Sequence, residues 1–240
     1  MRGDDELGDL AERVNGMAKS LQGMLEAKRA LLLAISHELR SPLTRARLNA
    51  ELVDDSDAKA ALLRDLAEMR DLINDLLESE RIAAGHRALQ IEEVDVTALI
   101  DEVLAARFAS ARVAVEADRG IGPVRADPMR LKLLLRNLVD NALRHSANAA
   151  QPPRVQFGRN AEGRLRLAVR DHGPGVDADQ LARLAEPFYR PDSARQRATG
   201  GVGLGLYLCR LVAEAHGGRL EIRRMEPGLE VAAVWGDRSA

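Results

Sequence analysis

A histidine followed by a carboxylate, with a hydroxyl one helical turn further on, is the first arrangement in this sequence that could do chemistry. Glu38 follows His37 directly and can accept a hydrogen bond from one ring nitrogen, which leaves the lone pair of the other nitrogen free. Ser41 would lie about 40° round a helix from His37, on the same face. An imidazole in this setting is a nucleophile suited to phosphoryl transfer. Taken alone, His37 could equally be an ordinary solvated histidine.

A proline interrupts the helical pattern beside this histidine. Pro42 removes the N–H that would bond to the carbonyl of Glu38, and a proline inside a helix costs about 3 kcal/mol. The apolar positions Ile35 and Leu39 lie about 200° round the helix from His37. We therefore expect the imidazole to point towards water, on a stretch of helix with local freedom.

Two asparagines four residues apart occur in a leucine-rich helical pattern. Asn137 and Asn141 would share one helical face, and asparagine costs up to ~0.7 kcal/mol against alanine in a helix, so the pair indicates a polar site. Arg144 and His145 extend that face and could donate to phosphates. The carboxamide oxygen of Asn141 is a suitable hard ligand for Mg²⁺. The alternative interpretation is a pair of surface amides.

An aspartate at the end of a predicted strand precedes two closely spaced glycines. Gly173 and Gly175 would let the backbone turn sharply and let a flat ligand approach closely. A carboxylate at Asp171 could accept a hydrogen bond from an exocyclic amine. An ordinary turn at the end of a strand is the alternative.

A second group of glycines leads into a predicted helix. Gly201, Gly203 and Gly205 precede or open the helix predicted over residues 204–216, whose first N–H groups could hold phosphate. The spacing fits neither a Walker A loop nor a Rossmann fingerprint. Residues 190–200 are polar and nearly devoid of large aliphatic side chains, which predicts a mobile lid.

Together these segments resemble the motifs of bacterial two-component sensor histidine kinases. Residues 36–44 (SHELRSPLT) resemble the H box of that family. The other motifs follow in the family's order: the N box at 135–142, the first glycine box at 171–175, the F box at 186–190 and the second glycine box at 201–206. One glycine motif alone is weak evidence, but the whole set behind an H box is strong. Residues 5–18 also resemble the last helix of a HAMP linker.

The resemblance implies a role for each residue of the H box. His37 would be the phosphoacceptor and Glu38 its acid/base partner. Ser41 stands where the family usually has threonine or asparagine, a position that helps to place a water against the phospho-aspartate of the partner protein. Serine keeps the hydroxyl but loses the methyl group that restricts the rotamer. The alternative for Ser41 is a hydrogen bond back to a carbonyl of the preceding turn.

The resemblance also implies ATP and Mg²⁺ as cofactors. Asn141 would be the metal ligand, and Asp171 would read the adenine amino group. Most of the area of Phe188 is expected to pack in the core. The remaining residues predicted to bind the nucleotide are Asn137, Arg144, His145, Gly173, Gly175, Phe188, Tyr189, Arg190, Gly201, Gly203, Leu204, Gly205 and Leu206.

The first half of the chain is predicted to be a helical hairpin. Apolar residues recur at heptad-like spacing over residues 6–53, a polar turn follows at 54–57, and a second helical pattern runs to Gly85. One hairpin can hide its apolar stripe by pairing with another, so we expect a homodimer that forms a four-helix bundle. A hairpin folded onto the rest of its own chain is the alternative.

The second half mixes helices and strands without strict alternation. Helices are predicted over residues 96–108 and 127–146, and the strands alternate arginine or glutamine with aliphatic residues. This predicts a two-layer α+β domain with a mostly antiparallel sheet, which the resemblance makes a GHKL-type ATP-binding domain. The predicted division is a HAMP end at 1–27, a phosphotransfer hairpin at 28–86, a linker at 87–94 and the catalytic domain at 95–240.

Composition excludes several classes of protein. The formal net charge of −2 over 240 residues argues against a broad nucleic-acid-binding face. A lone cysteine, Cys209, rules out an intramolecular disulfide and a cysteine-cluster metal site. The longest apolar stretches fall far short of the ~20 residues that span a bilayer. The resemblance implies the cytoplasmic portion of an inner-membrane sensor whose membrane segments lie outside this chain.

The leading hypothesis is therefore an ATP-dependent protein-histidine kinase. It would phosphorylate His37 and pass the phosphate to an aspartate in the receiver domain of a response regulator, with phosphatase activity on that regulator as a further expectation. The main alternative is a catalytically weak dimeric signalling scaffold that keeps a nucleotide-binding domain. An ATPase of the gyrase and chaperone type is a second alternative, against which the segment around His37 argues.

Overall fold

The structure is a computed structural model that describes residues 3–83, 89–147, 149–191 and 203–236. The chain divides into two compact units, Met1–Glu80 and Arg81–Ala240. The helices and strands, in chain order, are α1 (Gly3–Glu51), α2 (Asp57–Ala83), β1 (Glu92–Val94), α3 (Val96–Arg107), β2 (Ala114–Ala117), β3 (Val124–Ala126), α4 (Pro128–His145), β4 (Arg154–Arg159), β5 (Leu165–Arg170), a 3₁₀ helix (Ala178–Arg183), α5 (Gly205–Ala215), β6 (Arg219–Arg224) and β7 (Leu229–Trp235).

The first unit is the predicted helical hairpin. Helix α1 continues through Pro42 without a break, so the missing N–H does not end the helix. The ammonium group of Lys28 lies 2.8 Å from a carboxylate oxygen of Glu80 and joins the two helices near the open end of the hairpin. At the turn, the ammonium of Lys59 donates to the carbonyl of Glu51 and to Asp55. These contacts make the two helices antiparallel neighbours.

Much of the apolar stripe of the hairpin is uncovered in a single chain. Leu77 and Ala50 are buried, but Ile35 and Leu39 are each more than two-fifths exposed. Among the described side chains of this unit, the large apolar ones that are exposed are Val14, Met17, Leu21, Met24, Leu25, Leu31, Ile35, Leu39, Leu48, Leu52, Val53, Leu62 and Met69. A surface of this extent is typical of an interaction face. Over the described residues, neither α1 nor any other helix has an apolar stretch that could cross a membrane.

The second unit is a two-layer α+β fold, as predicted. Its five-stranded sheet has the order β2-β4-β5-β7-β6, with β2 and β4 parallel and the other pairs antiparallel. Helices α3, α4 and α5 bury the core against the sheet, with Ile100, Leu135, Leu167, Leu208 and Trp235 among the side chains that are almost wholly enclosed. Each such side chain contributes about 1.5–3 kcal/mol of hydrophobic stabilisation. The sheet and its helices thus form the rigid support of the loops described below.

Aspartates begin two of the helices that cover the sheet. Asp127 caps α4 by accepting from the N–H of Arg130, and Pro128 occupies the first helical turn, as the sequence predicts. Asp95 caps α3, and the N–H of Ala98 and the hydroxyl and N–H of Thr97 hold the pKa of this carboxyl below its ordinary value.

A small second sheet has its first strand within residues 87–94, the predicted linker. Strands β1 and β3 pair in antiparallel fashion, with Glu92 opposite Ala126 and Val94 opposite Val124. Strands of three residues give no period-two pattern that could be recognised in the sequence. The chain therefore enters the second unit as a strand that is hydrogen-bonded to the residues just before α4.

Candidate active site

The carboxylate of Asp171 is held rigidly at the end of β5. The residue is 4% exposed, and its Oδ1 accepts from the N–H of Gly173 at 2.9 Å and from that of Leu229 at 3.2 Å. Its own N–H donates to the carbonyl of Leu229 at 2.8 Å. Within the part of the chain that the structure describes, nothing donates to Oδ2. The carboxylate thus has one oxygen fixed by the backbone and one oxygen available to a ligand.

Glycines allow the backbone to close around this carboxylate. A Cβ atom at Gly173 would lie 2.5 Å from the carbonyl oxygen of His145. A Cβ atom at Gly228 would lie 2.2 Å from the carbonyl oxygen of Asp171 and 2.8 Å from its Oδ1, and Gly228 has a φ of +97°. Gly175 also has a positive φ, +73°, and packs against Gly228. Side chains at Gly173 and Gly228 would displace the acceptor.

Gly228 is a site residue that the sequence analysis missed. It follows Glu226 and Pro227 in the turn between β6 and β7, and Pro-Gly is a turn signal in any sequence. Because Leu229 is 58 residues from Asp171, however, no local pattern shows that this turn packs against the acceptor.

The two asparagines of α4 have different surroundings. Asn137 is buried, and its Nδ2 donates to the carbonyl of Leu133 at 2.9 Å. A Cβ atom at Gly205 would lie 3.2 Å from its Oδ1, so Asn137 packs against the start of α5. Asn141 is half-buried, and its side chain forms no hydrogen bond with any described residue. The alternative interpretation, a pair of surface amides, is therefore wrong for Asn137, which is buried. The side-chain amide of Asn141 is available to a ligand.

The carboxamide oxygen of Asn141 could bind a hard cation whose other ligands are oxygens of a bound nucleotide and water. The described residues contain no group of three or more histidines, cysteines or carboxylates that could enclose a metal ion. Mg²⁺ is commonly bound by one or two protein oxygens together with phosphate oxygens and water. A single carboxamide at Asn141 suits that mode of binding.

The end of α4 contacts the loop after β5. The hydroxyl of Ser146, at the C-cap of α4, accepts from the N–H of His172 at 3.0 Å. His145 is half-buried, with its carbonyl against Gly173, and Arg144 is exposed. The structure therefore brings together Asp171, its glycines and the last turn of α4, which the resemblance assigned to one nucleotide site.

The expected core position of Phe188 is wrong. Its side chain is 55% exposed, and its φ of +63° is a left-handed conformation that costs an ordinary residue roughly 1–2 kcal/mol. The Phe188 N–H donates to the carbonyl of Gly203 at 3.0 Å, and a Cβ atom at Gly203 would lie 2.7 Å from the carbonyl oxygen of Tyr189. This turn of the backbone holds the ring outside the core.

Tyr189 and Arg190 next to it are half-buried. The guanidinium of Arg183 lies 4.2 Å from the centroid of the Tyr189 ring and 3.3 Å from the carboxylate of Glu186. The F-box segment is thereby fixed both to the 3₁₀ helix and to Gly203.

The second glycine segment contributes main chain more than side chains. Leu204 is buried at the N-cap of α5, Gly205 begins that helix, and Leu206 packs against the core. Gly201 lies outside the described residues, as do residues 192–200 of the predicted lid. What this segment offers a ligand is the set of free N–H groups at the start of α5.

The H-box residues lie on α1 in the first unit. Glu38 and Ser41 are exposed, and the side chain of His37 lies outside what the structure describes. Ser36 and Thr44 donate their hydroxyls back to the carbonyls of Leu32 and Arg40. The Ser41 hydroxyl bonds to no described residue, so the expected alternative for it is not seen.

Comparison with known proteins identifies both units. The family model "His Kinase A (phospho-acceptor) domain" matches residues 27–85, and "Histidine kinase-, DNA gyrase B-, and HSP90-like ATPase" matches residues 126–235. The second unit is thus a member of that ATPase class. With a phosphoacceptor domain preceding it, the chain belongs to the sensor histidine kinases, which confirms the family that the H box and the later motifs resemble; the HAMP end at residues 1–27 stays a prediction.

Individual relatives agree with this assignment. The chain is 34% identical to the signal transduction histidine-protein kinase BaeS of Escherichia coli, over 90% of this chain and 48% of BaeS. It is 31% identical to AfsQ2 of Streptomyces coelicolor, over 94% of this chain and 46% of AfsQ2. Full-length ShkA, solved with AMPPNP, superposes with a TM-score of 0.68 at 27% identity, over 87% of this chain and 46% of ShkA. The chain spans about half the length of the curated relatives it matches.

Proposed function

We propose that this chain is the kinase portion of a two-component sensor, which uses ATP to phosphorylate His37 and passes the phosphate to an aspartate of a response regulator. The observation that carries the proposal is the fixed Asp171 carboxylate with one open oxygen, in a chain that also has an H box on an exposed helix. The proposal includes the predicted segments: a HAMP end at residues 1–27, a phosphotransfer hairpin at 28–86, a linker at 87–94 and the catalytic domain at 95–240.

The second unit binds the nucleotide through groups that are already in position. Oδ2 of Asp171 accepts from the exocyclic amine of adenine. The main chain at Gly173 and Gly228 packs against the carboxylate and fixes its orientation. Arg144 and His145 donate to phosphate oxygens. Mg²⁺ held by Asn141 would offset the charge of the phosphates.

The first unit supplies the nucleophile. Glu38 accepts a hydrogen bond from one N–H of the His37 ring, so the lone pair of the other ring nitrogen attacks the γ-phosphorus. The bond from that phosphorus to the bridging oxygen breaks, and ADP leaves with the electron pair. The same phosphoryl group then passes from the imidazole to the regulator's aspartate.

Two further parts of the proposal concern assembly and location. The exposed apolar stripe of the hairpin supports a homodimer that forms a four-helix bundle, because a second copy would cover it. Relatives named sensor kinases are about twice as long as this chain. The location proposed for this chain, the cytoplasmic portion of an inner-membrane sensor, is the one that the family resemblance implies.

Labelling with γ-³²P-ATP and Mg²⁺ tests the proposed reaction directly. We expect label in the protein that is lost in acid and retained in base, which is the behaviour of a phosphohistidine. Acid-stable label, or no label from a sample that binds ATP, would contradict the proposal, and the second result would favour the scaffold alternative.

Replacing Gly228 by alanine should weaken ATP binding about tenfold, because the methyl group pushes Asp171 away from its two backbone donors. Isothermal titration with ATP measures the change. Gly163→Ala is the matched control: Gly163 has a similar positive φ, +75°, but a Cβ atom at this position would have nothing within 4 Å. An equal loss of affinity in the two variants would show that strain at a positive φ, and not contact with Asp171, is the cause, and no loss in Gly228→Ala would contradict the prediction.

Replacing Ser41 by alanine should slow dephosphorylation of the regulator and leave labelling of His37 intact. Its exposed hydroxyl has no partner among the described residues and is therefore available to orient a water. The rate of phosphate loss from phosphorylated regulator is measured with ADP present. Thr44→Ala removes a hydroxyl that is already bonded to Arg40 and serves as the control. The same rate in wild type and Ser41→Ala would exclude a role for Ser41.

A further inference from the structure

Side chains join both ends of α5 to α4. At one end Asn137 of α4 packs against Gly205, the first residue of α5. At the other end the N–H of Asp127, the N-cap of α4, donates to Nε2 of His216, the C-cap of α5, at 3.1 Å. The helices are therefore antiparallel, and the contact between Asp127 and His216 lies about 15 Å along the pair from the contact at Asn137.

The ring of His216 is held in one orientation. It is 4% exposed, and its Nδ1 lies 2.8 Å from the carbonyl of Val212. A carbonyl only accepts, so Nδ1 carries the proton and Nε2 has the lone pair that receives the N–H of Asp127. The bond therefore links the last turn of α5 directly to the first residue before α4.

The carboxylate of Asp127 makes a third connection. Asp127 is 6% exposed; its Oδ1 caps α4 at the N–H of Arg130, and its Oδ2 accepts from the N–H of Gln90 at 3.0 Å. Gln90 precedes β1, which pairs with β3 immediately before Asp127. Asp127 thus connects the segment at residues 89–94 to both α4 and α5, the two helices that carry nucleotide motifs.

We propose that Asp127 and His216 are positioning residues that set the spacing of α4 and α5 at the nucleotide end, and that the segment at residues 89–94 acts on nucleotide affinity through them. Helices are stiff and Asn137 packs against Gly205, so a change at the contact between Asp127 and His216 moves Asn137 and the start of α5 relative to each other. This inference rests on the proposed function, because it assumes that the α4–α5 end binds ATP.

Two substitutions at His216 separate its two hydrogen bonds. The amide of glutamine reaches the position of Nε2, so His216→Gln can keep the bond to Asp127. The amide of asparagine reaches the position of Nδ1, so His216→Asn keeps the bond to Val212 and loses Asp127. We expect ATP affinity, measured by titration on the full chain, to fall about fivefold in His216→Asn and to be restored in His216→Gln.

Two substitutions at Gln90 test the connection to the entering segment. Gln90→Pro removes the N–H that Asp127 accepts, whereas Gln90→Ala keeps it. We expect only the proline variant to lose affinity. Val103→Ala, a core substitution on α3, is the control for a general loss of stability and should lower the melting temperature without changing ATP affinity.

The outcomes distinguish this inference from the proposed function. Affinity that follows melting temperature across all the variants, Val103→Ala included, would overturn the positioning role, as would equal affinities in Gln90→Pro and Gln90→Ala. If the wild type bound ATP but its His37 were never labelled, the proposed kinase would fail while the affinity pattern still decided the role of Asp127 and His216. A wild type that bound no ATP would overturn both.

Discussion

Replacing His37 by alanine abolishes the acid-labile label, and ATP affinity stays within a few-fold of the wild type. The residue lies on α1 in the first unit, whereas Asp171, Asn141 and the glycines that surround them belong to the second unit. Removing the imidazole takes away the only nucleophile proposed for the phosphoryl transfer and no group that we place against the nucleotide. The loss is therefore expected in labelling and not in binding.

Two controls sharpen this result. Glu38→Gln retains the shape of the side chain but removes the charge that orients the ring, and we expect labelling to be slower by about 10²–10⁴-fold. Thr44→Ala, a substitution on the same helix that removes a hydroxyl bonded only to its own turn, should label at the wild-type rate. Label that persists in His37→Ala would show that another residue accepts the phosphate.

The helices and strands of this fold could be predicted where they depend on residues close together in the sequence. The heptad-like apolar spacing predicted α1, and a second helical pattern of apolar residues predicted α2. Asp127 followed by Pro128 predicted the start of α4. These signals act within a few residues. The alternation of arginine with aliphatic residues predicted β5 because its two faces differ in burial.

The candidate site could be predicted only as a set of motifs. The family resemblance implied that Asp171 and the end of α4 serve one nucleotide site, and the structure brings them together. The contact of Gly228 with Asp171 and that of Asp127 with His216 join residues far apart in the sequence, 89 residues in the second case. No local sequence pattern indicates which distant residues contact each other, so these two contacts could be found only from the folded structure.

For Phe188 the sequence predicted packing in the core, and the structure shows an exposed side chain. A phenylalanine suggests burial, because its hydrophobic area is large. The structure exposes the ring because the N–H of Phe188 is bonded to Gly203 and the backbone turns there with a positive φ. That conformation is rare for a residue with a Cβ, so composition alone does not predict it.

Replacing Asp171 by asparagine should lower ATP affinity by about 10- to 100-fold without unfolding the protein. The asparagine oxygen can still accept from the N–H groups of Gly173 and Leu229, so the loop keeps its shape. Its NH₂ then takes the place of Oδ2 and faces the adenine amine, donor against donor. The hydrogen bond to a charged acceptor is lost and the ligand's amine is left unpaired.

The same substitution should also change which nucleotide is preferred. Guanine carries an acceptor oxygen where adenine carries its amine, so the NH₂ of the introduced asparagine has a partner in GTP that the carboxylate does not have. We expect the ratio of ATP to GTP affinity, measured by titration of the full chain with each nucleotide, to fall in Asp171→Asn. Asp177→Asn is the control, since the side chain of Asp177 makes no capping bond at the start of the 3₁₀ helix. A loss of affinity that is equal for ATP and GTP, or one that comes with a lower melting temperature, would mean that Asp171 supports the loop and does not read the base.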